Sequence, residues 1–277
     1  MSEPRPPRDS LSEMLAVRSQ GSGVFSARLE SFWGTAAPGD LLARAMLAGS
    51  EGRGMGPGAI HAVFLRAAPP DVALTLTCER LSDGHTRVGV REGDARVAEV
   101  LLRFGPPSEG LTYQGVAAPS ELPAPEDLPS EAELGAREGW APYAVGPIDS
   151  RRITPRETVK AHEPAHWLGW LRPRVPLGAD PRLHAAALAF LAEYRSHWAV
   201  ERRLGADFPR TEITLLDHAL WVHHPRRWDD WWLVQTESDV GAAGRCLSRR
   251  EIFARDGTWI ASAAWQTALR TTPPGAR

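Results

Sequence analysis

The sequence predicts an α+β fold in which two similar units, each a helix followed by an antiparallel sheet, are joined in one chain. Three observations lead to this prediction. An apolar helical run occurs twice, and each run is followed by stretches that alternate between apolar and polar residues with the period of a strand. A polar, proline-rich segment separates the two series. Two such units are expected to be related by a pseudo-two-fold axis.

The first unit begins with the helical run DLLARAMLAG at residues 40–49, directly after Pro38-Gly39. Strand patterns follow at 58–70, 72–81 and 86–104, and a turn at Gly93-Asp94 divides the last of them. The first unit is therefore predicted to contain one helix and about four antiparallel strands.

The second unit repeats this order, with a longer helical run at 183–198. Strand patterns follow at 213–225, 230–238 and 244–270, with a turn at Asp256-Gly257 in the last. The stretches IHAVFLRAAPP and DHALWVHHPRR match each other, which places His61 opposite His218 in the internal repeat. A ligand site is expected between the two units, because ligands favour such interfaces.

The segment between Gly105 and Asp149 has the composition of a linker or surface strap. It mixes prolines with acidic residues and offers few large apolar side chains to bury. We therefore predict an N-terminal unit at 20–108, a Pro/Glu-rich linker at 109–150 and a C-terminal unit at 151–272.

Composition excludes several classes of function. The 34 acidic and 32 basic residues nearly cancel, so no global field attracts nucleic acid or an anionic membrane. Cys78 and Cys246 are the only cysteines, too few for a disulfide framework and not spaced as metal ligands. No secretory signal, membrane span or phosphate-binding glycine loop is present. The expectation is a cytoplasmic protein that needs no metal or cofactor and contacts neither nucleic acid nor membrane.

The stretch LLDHALWVHHP, residues 215–225, contains an aspartate and three histidines but is not a metal cluster. Strand alternation places Asp217 and His218 on opposite faces, and it separates Asp217 from His223 by about 20 Å. His218 is expected to be a hydrogen-bonded core histidine. The same alternation assigns Leu215 to the face of Asp217.

Two polar residues, Glu193 and Gln266, occupy positions where the pattern predicts apolar or small neighbours. Glu193 falls on the apolar helical stripe of Ala186, Ala189 and Phe190, and a buried charge is unfavourable without a partner. It is either a functional carboxylate or a residue at the edge of the stripe that reaches solvent. Gln266 is flanked by alanines on its strand face. It is either an amide that faces a ligand or a polar residue on a solvated face.

With these residues laid out, the chain resembles the acyl-CoA thioesterase II family, in which two hotdog folds are fused. The resemblance is clearest in the blocks at 170–194, 215–225 and 244–270, and it is fainter at 60–66 and 79–91. It implies a double hotdog, in which each antiparallel sheet wraps around a central helix.

The resemblance also implies a reaction. In the family, a water held by an aspartate at the end of the second helix, a Ser/Thr on the next strand and a glutamine on the last strand attacks the thioester carbonyl. Carried over to this chain, the carboxylate is Glu193, one methylene longer, and the glutamine is Gln266 within WQTALR. No metal or covalent intermediate is required.

The positions expected to bind substrate depart further from the family pattern. Leu215 stands where the Ser/Thr is expected, and the adjacent Thr214 is predicted to face the other way unless a bulge re-aims it. The Gly-Gly turn whose helix start stabilises the oxyanion is Gly39-Asp40 here; Asp40 could cap the helix, but its charge opposes an oxyanion. His61 is also expected to bind substrate, because the internal match places it opposite His218.

Two functions remain open on these residues, and a third is disfavoured. The first is hydrolysis of acyl-CoA or another acyl thioester, with Glu193 and Gln266 holding the water. The second is a hydrolysis-deficient double hotdog that binds an acyl or aromatic ligand or serves another biosynthetic step. A hydratase is disfavoured, because the chain lacks the Asp-x-Asn-Pro-x-His pattern of those enzymes. Hotdog units often pair across sheets, so a homodimer is one expected assembly.

Overall fold

Both halves of the chain contain a long helix and a set of antiparallel strands, which confirms the predicted α+β architecture. The computed structural model describes residues 10–272, except 30, 33–34, 55, 69–70, 107–108, 140–145, 156, 158, 160–162 and 164. All statements about the structure below refer to these described residues.

The N-terminal half starts earlier than the sequence suggests and then follows the predicted order. Leu11 and Met14 of the first short helix are buried in the core, so this half includes residues before position 20. Its elements are α1 (Leu11–Met14), β1 (Arg18–Gly21), β2 (Val24–Arg28), β3 (Ser31–Phe32), β4 (Thr35–Ala36), α2 (Pro38–Gly49), β5 (Gly56–Phe64), β6 (Ala73–Ser82), β7 (His85–Glu92) and β8 (Ala95–Gly105).

The C-terminal half repeats the arrangement of a long helix followed by four strands. Its elements, with those of the preceding segment, are α3 (Glu131–Glu138), β9 (Ile148–Arg152), β10 (Ala165–Pro173), α4 (Pro181–Glu193), α5 (Trp198–Leu204), β11 (Thr211–Val222), β12 (Trp232–Ala242), β13 (Arg245–Ala254) and β14 (Trp259–Thr271).

The helix predicted at 183–198 is divided in two. Asp180 caps the start of α4 by accepting a hydrogen bond from the Arg182 N–H, and Pro181 occupies the first turn. The helix ends at Glu193, because Tyr194 leaves the helical region and Arg195 has a φ of 51°. α5 begins at Trp198, five residues after the end of α4, so Glu193 lies at a helix end rather than one turn before it.

Twelve of the described strands form one antiparallel sheet that passes through both halves. Their order is β1-β2-β6-β7-β8-β5-β11-β14-β13-β12-β10-β9. β5 and β11 pair across the junction, with His61 opposite Ala219 and Ala62 opposite His218. This central pair joins the two predicted units and agrees with a pseudo-two-fold axis between them.

The internal match between His61 and His218 is out of phase by one residue. His61 is exposed, whereas His218 is only 2% exposed on the side of the sheet that faces the helices. Residues related by a two-fold axis perpendicular to the sheet must share a face, because successive side chains alternate across a strand.

Helices α2 and α4 pack against each other beneath the sheet. Gly39, at the start of α2, lies beside Phe190 and Glu193, at the end of α4. An added Cβ at Gly39 would be 2.9 Å from the Phe190 carbonyl oxygen, so this close approach requires glycine. The N-terminal end of one central helix therefore lies beside the C-terminal end of the other.

The predicted linker packs along the C-terminal half as a strap. The Trp170 indole N–H donates to the Pro123 carbonyl, and Arg255 forms a bidentate ion pair with Glu126. Leu122 and Leu128 contact a small buried cluster that includes Trp231. In the part of the chain that is described, no helix is long and apolar enough to cross a membrane.

Candidate active site

The carboxylate of Glu193 is buried at the junction of the two central helices. The side chain is 6% exposed; its Oε2 accepts the Gly39 N–H at 2.9 Å, and its Oε1 accepts the Ser196 hydroxyl at 2.7 Å. Burial raises the pKa of Glu193, and the two hydrogen bonds and the nearby Arg250 oppose the shift. Of the two readings left open by the sequence, the solvent-exposed edge residue is therefore wrong.

The first N–H groups of α2 are already used, which changes their expected role. The Gly39 N–H donates to Glu193, and the Asp40 N–H donates to the Ala37 carbonyl at 3.0 Å. Neither group is available for an oxyanion in this arrangement. The helix start holds the carboxylate in place instead, as expected for an anion at the positive end of a helix.

Asp40 does not cap α2 with its side chain. The N-cap residue is Ala37, which makes no side-chain hydrogen bond, and Asp40 lies within the first turn. Its carboxylate is fully buried and accepts a hydrogen bond from the Arg44 Nε at 2.7 Å. This partner compensates the negative charge, so Asp40 forms a buried ion pair with Arg44.

Arg250 of β13 holds the end of α4. The side chain is 1% exposed and donates to the Leu191 and Tyr194 carbonyls at 2.5 and 2.9 Å and to the Thr236 hydroxyl at 2.9 Å. Burial lowers its pKa to about 10, so it stays cationic at neutral pH. It satisfies helix-end carbonyls that would otherwise lack partners, on either side of Glu193.

A bulge in β11 decides which residues face the helices. The register with β14 shifts between Leu215, which pairs with Thr267, and Asp217, which pairs with Gln266. Leu215 and His218 are therefore both buried, whereas Asp217 is exposed. The predicted alternation, which placed Leu215 on the face of Asp217, is wrong because it did not contain this extra residue.

Thr214 is not re-aimed toward Glu193 by the bulge. The bulge follows Leu215 and leaves Leu215 itself facing inward, so Thr214 lies on the other side of the strand. Its hydroxyl is 3.5 Å from the Glu212 carboxylate. In the strand register, Thr214 lies opposite Ala268 of β14. The inner face thus has an apolar side chain where the resemblance implies a hydroxyl.

Gln266 lies on the opposite face of β14 from Trp265 and Thr267. The buried residues of this strand alternate through Ala263, Trp265 and Thr267, and Gln266 is half-buried between them. Its backbone N–H donates to the exposed Asp217 carboxylate at 3.0 Å. The structure therefore does not bring Gln266 and Glu193 together, because Gln266 lies on the outer face of the sheet.

His61 faces outward from the centre of the sheet. Its ring makes an edge contact with Trp221, with the centroids 5.6 Å apart. It lines a groove of about 530 Å³ on the outer surface together with Val63, Leu101 and Asp217. His61 therefore does not belong to the buried site around Glu193.

Three residues near Glu193 were missed by the sequence reasoning. Ser196 and Arg250 contact the helix end through bonds formed only in the folded chain, and Trp265 stacks on His218 with centroids 5.7 Å apart. The alternation around Arg250, between Ser248 and Ile252, is the only local signal that it faces the core.

The chain matches a family model and several known proteins. Residues 121–269 match the model described as acyl-CoA thioesterase C-terminal domain. Acyl-coenzyme A thioesterase 8 of Mus musculus is 26% identical over 237 residues, which cover 77% of this chain and 73% of that protein. Acyl-CoA thioesterase 2 of Haemophilus influenzae is 21% identical over 236 residues, covering 76% and 78%.

Solved structures show the same fold at low sequence identity. An acyl-CoA thioesterase II, TesB2, from Mycobacterium marinum has a TM-score of 0.77 and 22% identity, covering 96% of this chain and 99% of that one. A protein of unknown function with a hot dog fold from Alicyclobacillus acidocaldarius has a TM-score of 0.75 and 16% identity, covering 95% and 98%. The double hotdog prediction is confirmed.

Proposed function

The chain belongs to the family defined by the acyl-CoA thioesterase C-terminal domain, and from this premise we propose that it hydrolyses an acyl thioester, with acyl-CoA as the substrate class. The observation that supports this most directly is the Glu193 carboxylate. It is buried at the junction of the two central helices, and each of its oxygens accepts one fixed hydrogen bond. A carboxylate offers about four acceptor sites, so both oxygens keep capacity for a water.

In the proposed reaction Glu193 is the general base. The carboxylate takes a proton from the water as its oxygen attacks the thioester carbonyl carbon. The resulting tetrahedral intermediate breaks its carbon–sulfur bond, and the proton passes to the leaving thiolate. The Gly39 N–H and the Ser196 hydroxyl keep the carboxylate in one orientation, which favours the attack geometry. Gln266 has no part in this version of the reaction.

The test is a panel of acyl-CoAs from short to long chains, assayed for free thiol. Release above the uncatalysed background with at least one member is the expected result. Rates at background across the whole panel would overturn hydrolysis. The panel also orders the substrates by kcat/KM, since chain length is not fixed by the residues above.

A second function is favoured by Leu215. This buried leucine presents a methyl surface on the inner face of the sheet, which suits retention of an acyl chain without turnover. A hydrolysis-deficient protein would bind an acyl-CoA, detected by calorimetry, while releasing no thiol in the same panel.

The rate should depend on an acid with a raised pKa. Because burial raises the pKa of Glu193 and only the ionised form accepts the proton, kcat/KM should fall on the acid side at a pH above the ordinary glutamate value of about 4.3. A pH–rate profile from pH 4 to 9 measures this limb. A limb at or below the ordinary value would contradict the role of Glu193.

Substitution of Gln266 by alanine should change kcat/KM by no more than about threefold, or about 0.7 kcal/mol of transition-state free energy. The physical reason is that its amide lies across the sheet from Glu193. The measurement is thiol release with the best substrate of the panel. A loss of roughly 100-fold, the size expected for a preorganised donor, would restore Gln266 to the mechanism.

A further inference from the structure

Three buried polar atoms without hydrogen-bond partners lie on one face of two neighbouring strands. They are His218 Nδ1, Trp265 Nε1 and Thr267 Oγ1, and no partner for them occurs among the described residues. Their side chains are 2%, 1% and 3% exposed. His218 and Trp265 are directly paired between β11 and β14, and Thr267 follows Trp265 by two residues on the same face.

This face contacts the turn that carries Glu193. The His218 Nε2–H donates to the carbonyl of Ala192, the residue before Glu193, at 3.4 Å. The Arg250 guanidinium, which binds the Leu191 and Tyr194 carbonyls, lies 5.4 Å from the Trp265 ring centroid. His218 and Trp265 therefore belong to the same buried region as the carboxylate at the end of α4, and Thr267 adjoins Trp265 on the same face of β14.

Native proteins leave few buried polar groups unpaired, because each loses its hydrogen bonds to water without replacement. Three such atoms on one face leave unused hydrogen-bonding capacity that a bound polar group would satisfy. Thr267 is paired laterally with Leu215 and Cys246. The leucine cannot satisfy its hydroxyl, and the Cys246 thiol is engaged with the Ser238 hydroxyl at 2.9 Å.

The three atoms are chemically complementary. An indole N–H can only donate, and a threonine hydroxyl donates and accepts. Burial lowers the pKa of His218 to about 4, so the ring is neutral at pH 7. Because Nε2 donates to a carbonyl, Nδ1 is then the acceptor. One donor, one acceptor and one group of both kinds match the needs of a water beside a carbonyl oxygen.

The N–H groups of Gly39 and Asp40 are engaged elsewhere, so donors toward the substrate must come from another element. We propose that Thr267, Trp265 and His218 form a polar wall that binds the attacking water and the thioester carbonyl oxygen, and that the Thr267 hydroxyl, which both donates and accepts, is required for this binding. This inference rests on the proposed function, since it names groups of the same site.

The experiment compares two isosteric substitutions on the same sheet face. Thr267→Val removes an unpartnered hydroxyl, whereas Thr236→Val removes one that accepts a hydrogen bond from the buried Arg250. We expect Thr267→Val to unfold at the wild-type temperature or above it while kcat/KM falls about 10- to 100-fold. Thr236→Val should unfold at a lower temperature. Thr267→Ser should recover activity to within about threefold of wild type, because it restores the hydroxyl.

Wild-type activity with Thr267→Val, or a loss that merely parallels a loss of stability, would overturn the polar wall and leave hydrolysis by Glu193 intact. If the wild type itself releases no thiol, the proposed function fails instead. The wall is then tested by calorimetry with a CoA ketone in which a CH₂ separates sulfur and carbonyl. Weaker binding by Thr267→Val than by wild type supports it, and equal binding overturns it.

Discussion

Substitution of Glu193 by glutamine is expected to lower kcat/KM for thioester hydrolysis by about 10²- to 10⁴-fold, the usual contribution of a general base. Glutamine keeps the size of the side chain and can still accept a hydrogen bond from Gly39 or Ser196, but it cannot take a proton from water. The measurement is thiol release with the best acyl-CoA of the panel, at a pH where the wild type is fully active.

Glu251 provides a matched control. It is also a partly buried carboxylate with a raised pKa, and it accepts hydrogen bonds from the Ser262 hydroxyl and the Trp259 indole. Glu251→Gln should keep both the rate and the acid limb of the wild type. A Glu193→Gln protein with wild-type turnover would remove Glu193 from the mechanism.

Glu193→Gln should also change the free energy of unfolding, in the opposite direction from its effect on activity. The pKa of Glu193 is raised in the folded state, so its contribution to stability is full below the pKa of the unfolded chain and is lost as pH rises through the folded value. Glu193→Gln should therefore equal the wild type in unfolding free energy near pH 4 and exceed it at pH 8. Such a gain accompanying a loss of activity is typical of functional sites.

Substitution of Arg250 by methionine is expected to reduce the unfolding free energy by about 3–5 kcal/mol. The change removes the donors that satisfy the Leu191 and Tyr194 carbonyls and the Thr236 hydroxyl, and all three acceptors stay buried. For a chain of this length the midpoint of thermal unfolding should fall on the order of 10 °C. Differential scanning calorimetry measures it.

The neighbouring Arg249 is the control, since it is 56% exposed and pairs with Asp239 on the other face of the strand. Arg249→Met should cost less than about 1 kcal/mol, as for other surface ion pairs. An equal loss in both variants would mean that Arg250 does not hold the helix end. In Arg250→Met protein that still folds, the acid limb of the rate should move to higher pH, because Glu193 loses its cationic neighbour.

The order of helices and strands follows from the sequence because it depends on short-range periodicity. The strands at 58–70, 72–81 and 86–104 were predicted close to β5, β6, β7 and β8, since apolar alternation and the turn at Gly93-Asp94 are local signals. Helix α4 was predicted too long, because the residues after Glu193 are individually compatible with a helix. Its end is set by Arg195, with a positive φ, and by tertiary hydrogen bonds.

The placement of the candidate site depended on which face of its strand each residue occupies. A single bulged residue at Leu216 exchanges the two faces of β11, and no periodicity rule locates such a residue in advance. As a result, Leu215 faces inward with His218, while Gln266 faces outward with Asp217. The same limit explains why Thr267 was overlooked, since the bulge is what places Leu215 opposite it on the inner face.

By itself the sequence determined the two helix-plus-sheet units, their family resemblance and the unusual carboxylate of Glu193 on an apolar helical stripe. These properties are encoded in patterns that recur every two or 3.6 residues and in contiguous blocks. Only the tertiary structure decided that Gly39 and Ser196 orient Glu193, that Arg250 holds the helix end, and which face of β14 meets them. Those relations join residues up to 154 positions apart, and they exist only once the sheet has folded around the helices.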